Sequence, residues 1–366
     1  MTGKFLLFPY YLALKVRDSL YKKGKRATFS FDIPIISVGN ITVGGTGKTP
    51  AVEAIVRVLR KECRVAVLSR GYGRKTKGFI LVEAGDSAVK VGDEPLQIKR
   101  KFPDVTVAVD KIRERAVERL LEMPENNRPQ VIVMDDGFQY RKLARTQDIV
   151  LVDYSRPVFK DNLLPLGRLR DLPARIGEAG TVLVTKCPLI PDRKEREEVC
   201  KANRLNSSQK IFFSRIKYLH PVPVFEERAN SRYVYSRDVF LFSGIADDTS
   251  LILHLTEIYD RIYHRKFGDH HYFSKLDILK LNSFARNHPR TMLLTTEKDV
   301  QRLRSAAGLS DSVREKLFYI PIEMEFFSPE EQQKFSSLLK SFIPSVRKKR
   351  SNVKSDSSCS FTDELF

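Results

Sequence analysis

The stretch SVGNITVGGTGKTP, residues 37–50, decides the fold of the first part of this chain. Its second half reads as a phosphate-binding loop. The common form of that loop has Gly, four free residues and then Gly-Lys-Thr or Gly-Lys-Ser. Counted back from Gly47, the first glycine belongs at position 42, where this chain has Thr42. The stretch is therefore a nucleotide site of unusual form or a glycine-rich turn before a lysine.

The flanking sequence favours the nucleotide site. A β-branched run at 33–40 predicts a buried strand, and residues 51–62 have helical periodicity. Between them, small residues let backbone N–H groups converge on a phosphate, and a helix N-terminus adds positive partial charge. We therefore expect the phosphates of a bound nucleotide to contact the following residues: Thr42, Val43, Gly44, Gly45, Thr46, Gly47, Lys48 and Thr49.

A magnesium site is expected beside this loop. The Lys48 ammonium suits the β- and γ-phosphates, and the Thr49 hydroxyl is a ligand for Mg²⁺. The apolar run VIVM ends in Asp135 and Asp136. Two adjacent carboxylates at a strand end are costly unless a cation lies near them. We predict that Thr49, Asp135 and Asp136 hold the metal, with a solvated strand end as the alternative.

Strands and helices alternate through the first half of the chain, which predicts an α/β fold with a mostly parallel sheet covered by helices on both faces, like that of P-loop NTPases. Functional residues are then expected beyond the carboxyl ends of the strands. The apolar runs that we interpret as further strands are 64–74, 105–110, 130–139, 148–153 and 180–186.

A length of 366 residues suits about two domains of roughly 150 residues each. We predict a P-loop kinase domain at 28–227 and a smaller α/β domain at 228–343. Residues 1–27 form a separate N-terminal helix in this division. The tail at 344–366 has a basic cluster followed by Ser-rich polar sequence, and we expect it to be disordered.

The N-terminal segment has an uncharged apolar run at 5–14 followed by basic residues such as Lys15 and Arg17. The run is too short for a bilayer, which needs about 20 residues. It also lacks the small residues of a signal-peptide cleavage site. The pattern is typical of an amphipathic helix in the membrane interface. A terminal helix packed on the domain is the alternative.

Composition limits the partners and the compartment. The formal net charge of +19 indicates an anionic partner, which is a phosphate-bearing substrate, an acidic membrane surface or a nucleic acid. We expect no nucleic acid, because the sequence has no RNA- or DNA-binding module. The cysteines are far apart and form no CxxC pair, which excludes a zinc ribbon and favours reduced thiols in the cytosol. They are Cys63, Cys187, Cys200 and Cys359.

Two further segments contain polar residues of interest. In GDEP, Asp93 reads as a helix cap. In FGDHHYF, Asp269, His270 and His271 are consecutive, but no other Cys or His lies at zinc-ligand spacing. A histidine there could assist proton transfer. A surface loop or a helix cap is the alternative reading.

Taken together, the motifs resemble those of the tetraacyldisaccharide 4'-kinases, over roughly residues 1–340. Those enzymes phosphorylate the lipid A disaccharide precursor at the cytoplasmic face of the Gram-negative inner membrane. A Thr or Ser at the first position of the phosphate loop is normal in that family. The segments that carry the resemblance, in order, are SVGNITVGGTGKTP, SRGYGR, GDEP, DDGFQ, LLPLGRLRD, FGDHHYF and TTEKD.

The resemblance implies roles for matched positions. Lys48 and Thr49 would hold the phosphates and Mg²⁺, and Asp136 with Asp135 would lie at the metal. Asp93 would be the base that accepts the proton of the sugar 4'-hydroxyl.

The same resemblance makes His270 the partner that supports Asp93, and Tyr72, Glu94 and Arg170 match family positions near the site. One position departs from the family, which has Leu-Arg-Glu where this chain has Asp171 after Arg170. Asp keeps the charge but is one methylene shorter, which leaves a role for Asp171 at the metal open.

The predicted activity is transfer of the γ-phosphate of ATP, with Mg²⁺, to the 4'-hydroxyl of the tetraacyldisaccharide 1-phosphate, a late step of lipid A biosynthesis. The enzyme is expected to be a monomer, peripheral on the anionic cytoplasmic face of the inner membrane. The first alternative is a soluble P-loop ligase or synthetase for a small carboxylic acid, and the second is a non-enzymatic nucleic-acid binder.

Overall fold

A computed structural model of the chain describes residues 3–343, and the alternation of strands and helices is as predicted. The elements of the first part are α1 (Gly3–Lys22), β1 (Ile35–Asn40), α2 (Lys48–Leu59), β2 (Val65–Ser69), β3 (Ile80–Leu81), α3 (Ala88–Val91), α4 (Asp93–Lys101), β4 (Thr106–Val109), α5 (Arg113–Leu121), β5 (Val131–Asp135), β6 (Gln147–Asp153), β7 (Thr181–Thr185) and α6 (Arg193–Ala202). Those of the second part are β8 (Lys210–Tyr218), β9 (Val222–Pro223), β10 (Asp238–Ser243), α7 (Thr249–Thr256), β11 (Arg261–Lys266), α8 (Lys275–Asn287), β12 (Met292–Thr296), α9 (Glu297–Leu303), α10 (Asp311–Lys316), β13 (Leu317–Ile320), β14 (Ile322–Phe326) and α11 (Pro329–Lys340). Three 3₁₀ helices lie at Val158–Lys160, Pro173–Glu178 and Ser231–Tyr235.

The larger sheet has nine strands in the order β14-β8-β7-β6-β1-β5-β2-β4-β3. The pairings are parallel except at the two ends, where β3 and β14 run antiparallel to their neighbours. Every residue of β1, β2, β5 and β7 is buried, because helices cover both faces and both sets of side chains face a core. The predicted α/β fold with a mostly parallel sheet is confirmed.

A second sheet has five strands in the order β11-β10-β12-β13-β9, all parallel except β9. The small sheet does not coincide with the smaller domain predicted at 228–343. Strand β9 joins the small sheet before residue 228, and β14 returns to the large sheet, antiparallel to β8. Helix α11 follows β14, and its Phe335 packs with Phe212 and Phe326 in the core of the larger unit. The amphipathic pattern of this segment did not show which sheet would bury it. The tail at 344–366 lies outside the described residues.

Helix α1 has one side on the protein and one side in solvent. Leu14 is buried and Tyr10 packs against the same core. Phe8, Leu12 and Val16 are spaced four residues apart, lie on the opposite side and are exposed. The helix thus packs on the larger unit and still presents an apolar face outward. Among the described residues, no helix is both long enough and apolar enough to cross a membrane.

Loops that follow the carboxyl ends of strands in both sheets line one cavity. In the large sheet, β1 lies between β5 and β6, and the turn after β1 leads into α2. Residues that follow β10, β11 and β12 of the small sheet line the same cavity. Parallel strands place their following loops at one edge, so two parallel sheets bring loops from distant parts of the chain together.

Candidate active site

The cavity between the sheets has a volume of about 450 Å³. All eight residues predicted to contact the phosphates, 42–49, line it. Asp135, the last residue of β5, Asp136 after it and His270 after β11 also line it. The structure therefore brings together the predicted phosphate loop, acidic pair and histidine.

The geometry of the phosphate loop explains why Thr42 can replace a glycine. Thr42 pairs with Leu169 in an antiparallel bridge, and the amide of Val43 donates to the carbonyl of Arg168 at 2.7 Å. Such an extended backbone suits any residue. Gly44 and Gly47 instead have φ values of 99° and 80°, in the region that glycine adopts without strain. The loop thus has glycine where its backbone conformation needs it.

Two buried side chains at the ends of strands hold the turn of the phosphate loop through Thr46. Nδ2 of Asn40 donates to the Thr46 hydroxyl at 2.7 Å, and the Thr185 hydroxyl donates to the Thr46 carbonyl at 2.8 Å. Helix α2 begins directly after, at Lys48, so its free N–H groups point into the loop. This is the arrangement that a phosphate group requires.

The two acidic residues after β5 have different environments. Asp135 is buried and accepts a hydrogen bond from Ser69 Oγ at 3.0 Å. Burial and the charges of Glu94 and Asp136 raise its pKa to about 7, against the effect of Lys48.

Asp136 has a left-handed backbone with φ of 51°, and both its carboxylate oxygens accept from Arg170, one of them at 2.9 Å. Burial opposes its ionisation, but the hydrogen bonds from Arg170 and the charge of Lys48 outweigh burial and lower the pKa to about 2. Asp136 is thus firmly ionised, whereas the neighbouring Asp135 is held partly protonated near neutral pH.

This acidic pair fits a magnesium ion. Mg²⁺ in kinase sites is held by one or two protein carboxylates together with phosphate oxygens and water. Among residues 3–343, no group of three or more Asp, Glu, His or Cys side chains converges as a self-sufficient metal cluster. A cation beside Asp135 would relieve the repulsion that raises its pKa. Thr49 lines the same cavity.

Asp93 and His270 form a hydrogen-bonded pair. Nδ1 of His270 lies 2.9 Å from Oδ2 of Asp93, and Oδ1 of Asp93 accepts from the amide of Glu94 at 3.0 Å. His270 has a left-handed backbone with φ of 57°. Burial alone would raise the pKa of Asp93, but the hydrogen bond from His270 and the charge of Lys298 outweigh it and lower the pKa. Asp93 is therefore ionised at neutral pH.

The surroundings of Asp93 limit access to it. The side chain is buried beneath His270, with 4% of its residue surface exposed, and does not itself line the cavity. Tyr72 is exposed and its ring centre lies 4.9 Å from that of His270. Gly92 precedes Asp93 with φ of 96°, and a Cβ there would lie 3.1 Å from the Tyr72 carbonyl. The Tyr72 loop thus packs against the two residues beside Asp93, Gly92 and His270.

His271 and Asp171 lie outside the cavity. His271 Nε2 is 3.0 Å from Oδ2 of Asp277, and its ring stacks on Phe267, so it supports the fold of its own domain. Asp171 is buried, bound by Arg175 and contacted by the partly exposed Arg17 of α1. Tyr72, Glu94 and Arg170, by contrast, line the cavity.

Sequence reasoning did not assign several residues that shape the site. They are Asn40, Ser69, Thr185, Lys298 and Arg302. Asn40, Ser69 and Thr185 are the last residues of β1, β2 and β7, where the fold class predicts functional residues, whereas Lys298 and Arg302 belong to α9, which follows β12 directly. Nothing in the local sequence indicates which partner each one contacts.

Comparison with known proteins identifies the family. A family model described as tetraacyldisaccharide-1-P 4'-kinase matches residues 4–343. The chain belongs to this kinase family. The tetraacyldisaccharide 4'-kinase of Parabacteroides distasonis is 40% identical over 332 residues, which cover 89% of this chain and 90% of the relative. That of Porphyromonas gingivalis is also 40% identical, covering 88% and 92%.

A solved structure supports the same assignment. The crystal structure of LpxK from Aquifex aeolicus in complex with ATP aligns with 94% of this chain and 100% of its own, with 27% identity and a TM-score of 0.72. The chain is therefore an ATP-dependent enzyme of the tetraacyldisaccharide 4'-kinase family. A soluble ligase for a small carboxylic acid is not favoured.

Proposed function

We propose that this kinase transfers the γ-phosphate of ATP to the 4'-hydroxyl of the tetraacyldisaccharide 1-phosphate precursor of lipid A. The observation that carries the proposal is that His270, which is hydrogen-bonded to the buried carboxylate of Asp93, lines the same cavity as the phosphate loop. A phosphate donor and a base are the two groups that phosphorylation of an alcohol requires.

The phosphate loop and Lys48 bind and orient ATP in this proposal. Thr49, Asp135 and Asp136 would hold Mg²⁺, which neutralises phosphate charge when bound. Arg170 keeps Asp136 ionised and fixes its orientation through two hydrogen bonds. Positioning and charge neutralisation of this kind provide most of the rate enhancement in phosphoryl transfer.

Asp93 accepts the proton of the sugar hydroxyl. A carboxylate with a lowered pKa is a weak base, so it cannot deprotonate an alcohol before reaction begins. A loose transition state requires little proton transfer until the O–P bond has begun to form. The proton then passes to Asp93, which His270 orients. We propose that the hydroxyl reaches Asp93 from the side of Tyr72, whose exposed loop packs beside it.

The enzyme acts as a monomer at the cytoplasmic face of the inner membrane in this proposal. The exposed residues Phe8, Leu12 and Val16 give α1 an apolar face toward lipid. The formal charge of +19 suits an anionic leaflet, since basic residues near a membrane surface are attracted to acidic lipids. An acylated substrate is available only at such a surface.

The direct test is transfer of label from γ-³²P-labelled ATP to the purified disaccharide 1-phosphate. We expect a labelled product with phosphate on the 4'-hydroxyl, and no product from Lys48→Ala. Lys280→Ala, which changes an exposed lysine on α8, is the matched control and should retain activity. Label on another hydroxyl, or equal activity in the Lys48 variant, would contradict the proposal.

Membrane binding is tested separately by flotation with anionic vesicles. The wild-type protein should float with vesicles of mixed phosphatidylethanolamine and phosphatidylglycerol. A variant with Phe8, Leu12 and Val16 changed to Ser should remain in the lower fraction while it still hydrolyses or transfers from ATP to a detergent-dispersed acceptor.

A further inference from the structure

Lys298 contacts the side of His270 that faces away from Asp93. Its Nζ lies 3.1 Å from Nε2 of His270, 3.2 Å from Oε1 of Glu94 and 3.7 Å from Oδ1 of Asp269. The three atoms thus surround one ammonium group, which has three N–H donors.

The position of Lys298 follows from the fold. It is the second residue of α9, which begins directly after β12. The Thr296 hydroxyl accepts from the amide of Asp299 and so caps that helix. Helix α9 packs on α4, the helix that begins with Asp93. The lysine is therefore held near the pair by two elements that contact each other.

The contact determines which nitrogen of His270 has the proton. An ammonium group donates hydrogen bonds and cannot accept them. Nε2 of His270 must therefore supply a lone pair to Lys298. The remaining nitrogen, Nδ1, then bears the hydrogen and donates it to Oδ2 of Asp93. Both contacts are satisfied only by a neutral imidazole in the Nδ1–H form.

The charges around the ring show what would follow without Lys298. The anions that face it are Asp93, Asp269 and, through Lys298, Glu94. The cations are Lys298 and Arg302, and Nη1 of Arg302 is 3.6 Å from Oδ2 of Asp93 while Nη2 binds Asp299. Tyr72 contacts the imidazole through its ring, which is tilted by 54° from it. Without the lysine, three carboxylates would remain near the imidazole. The one remaining cation, Arg302, is shared between Asp93 and Asp299. This excess of negative charge favours the protonated, positively charged form of His270.

We propose that Lys298 is a positioning residue that keeps His270 neutral, with its proton on Nδ1, so that Asp93 is free to accept the substrate proton. This inference rests on the proposed function. During transfer, the sugar oxygen forms a bond to the γ-phosphorus, the bond from that phosphorus to the β-phosphate oxygen breaks, and the hydroxyl proton moves to Asp93. His270 keeps its Nδ1 hydrogen throughout. Burial lowers the pKa of Lys298, but the charges of Glu94, Asp93 and Asp269 outweigh this and raise it, which keeps the ammonium charged.

An imidazolium at His270 would slow the reaction for a physical reason. A charged partner at 2.9 Å stabilises the ionised form of Asp93 more than a neutral one does, and so makes Asp93 a weaker base. The lysine prevents this from the other side of the ring. Its own charge also lowers the pKa of Asp93, but it acts from beyond salt-bridge distance, whereas an imidazolium would act from 2.9 Å.

The tautomer is measured directly by ¹⁵N NMR of the full-length protein labelled at histidine, with His270 assigned by its absence in His270→Gln. We expect Nδ1 protonated and Nε2 unprotonated at neutral pH in the wild type. Protonation of Nε2 there would overturn the inference. This measurement needs no substrate, so it stands whether or not the disaccharide is the acceptor.

The functional consequence is measured in Lys298→Met, Lys298→Arg and the control Lys280→Met. In Lys298→Met, the acid limb of the kcat/KM profile should move to higher pH by roughly one unit, because the imidazolium forms more readily. The KM for ATP should stay within about twofold of the wild-type value if positioning alone is lost. Lys298→Arg, which keeps the charge, should retain the wild-type profile, as should Lys280→Met.

A uniform loss of activity in Lys298→Met with an unmoved pH profile would show that the lysine serves only the fold, and would overturn the inference. The thermal midpoint of each variant separates this result from unfolding. If the wild-type protein fails to phosphorylate the disaccharide, the proposed function fails, whereas the NMR result still decides the role of Lys298.

Discussion

Nδ1 of His270 lies 2.9 Å from Oδ2 of Asp93, although 177 positions separate the two residues, and Asp93 begins α4 beside the large sheet while His270 follows β11 of the small sheet. The contact therefore depends on how the two sheets face each other, and it joins the two parts of the chain across the cavity.

This contact predicts the effect of changing Asp93 to Asn. Asn has nearly the same shape but cannot accept a proton as a carboxylate does. We expect kcat to fall by about 10²–10⁴-fold, the usual contribution of a positioned base, with ATP affinity unchanged. Kinetics and calorimetric titration with ATP measure the two effects. Asp104→Asn, in an exposed loop, is the matched control. A near-normal kcat in the Asp93 variant would remove its assignment as the base.

Arg170 gives a second prediction. Its guanidinium binds both carboxylate oxygens of Asp136, a geometry that a lysine cannot reproduce. In Arg170→Lys we expect at least about tenfold loss of kcat/KM, because Asp136 is no longer fixed. The Mg²⁺ concentration needed for half-maximal activity should rise. Arg193→Lys, at an exposed position on α6, serves for comparison. Equal activity in the two variants would mean that one charge at residue 170 is enough.

Asp171 is the subject of a third prediction. It is 1% exposed and binds Arg175, which is 2% exposed. Asp171→Ala would remove one of the two carboxylates bonded to the buried guanidinium of Arg175 and leave Glu178, so we expect a loss of about 1.5–3 kcal/mol in the free energy of unfolding. Arg17 contacts the same carboxylate from α1 but is partly solvated, and Arg17→Met should cost about 0–1 kcal/mol. Urea unfolding measures both. Normal stability of Asp171→Ala together with weakened Mg²⁺ dependence would instead place Asp171 at the metal.

Much of the phosphate half of the site was predictable because its residues are close in sequence. Residues 42–49 form one continuous turn, and the helical periodicity after it marks the N-terminus of α2. The acidic pair ends a β-branched run in the same way. Local spacing was sufficient to identify both segments as candidates.

The base side of the site was not predictable from pattern alone. GDEP reads as a helix cap and FGDHHYF as a loop, and only the resemblance joined Asp93 to His270. The partner of His270 on its other side, Lys298, lies 28 residues further along the chain, and their contact depends on how β11 and β12 are arranged in the small sheet. The sequence also did not predict that β14 pairs with β8 in the large sheet. The pattern of apolar residues in a strand shows that one face is buried, but it does not show which sheet the strand joins.

Asp248 provides a prediction for stability against pH. It is 3% exposed and lies between β10 and β11, where Ser243 donates to it at 2.5 Å and Lys266 at 2.9 Å. Nε2 of His264 also lies 2.9 Å from its carboxylate. Burial alone would raise its pKa, but the hydrogen bonds from Ser243, Lys266 and His264 outweigh burial and lower the pKa to about 2.

The folded pKa of Asp248 is thus below the unfolded value of 3.8, so the carboxylate stabilises the fold above about pH 4 and loses this effect as the pH falls toward 2. We expect Asp248→Asn to lose about 2 kcal/mol at pH 7, as hydrogen bonds to a charged group usually contribute. The difference from wild type should stay constant between about pH 7 and 5 and begin to narrow near pH 4. Thermal unfolding followed by circular dichroism measures it. Asp260→Asn, whose partner Arg237 is exposed, should differ little from wild type at any pH. A constant deficit for Asp248→Asn down to pH 3 would show that packing, and not charge, explains its effect.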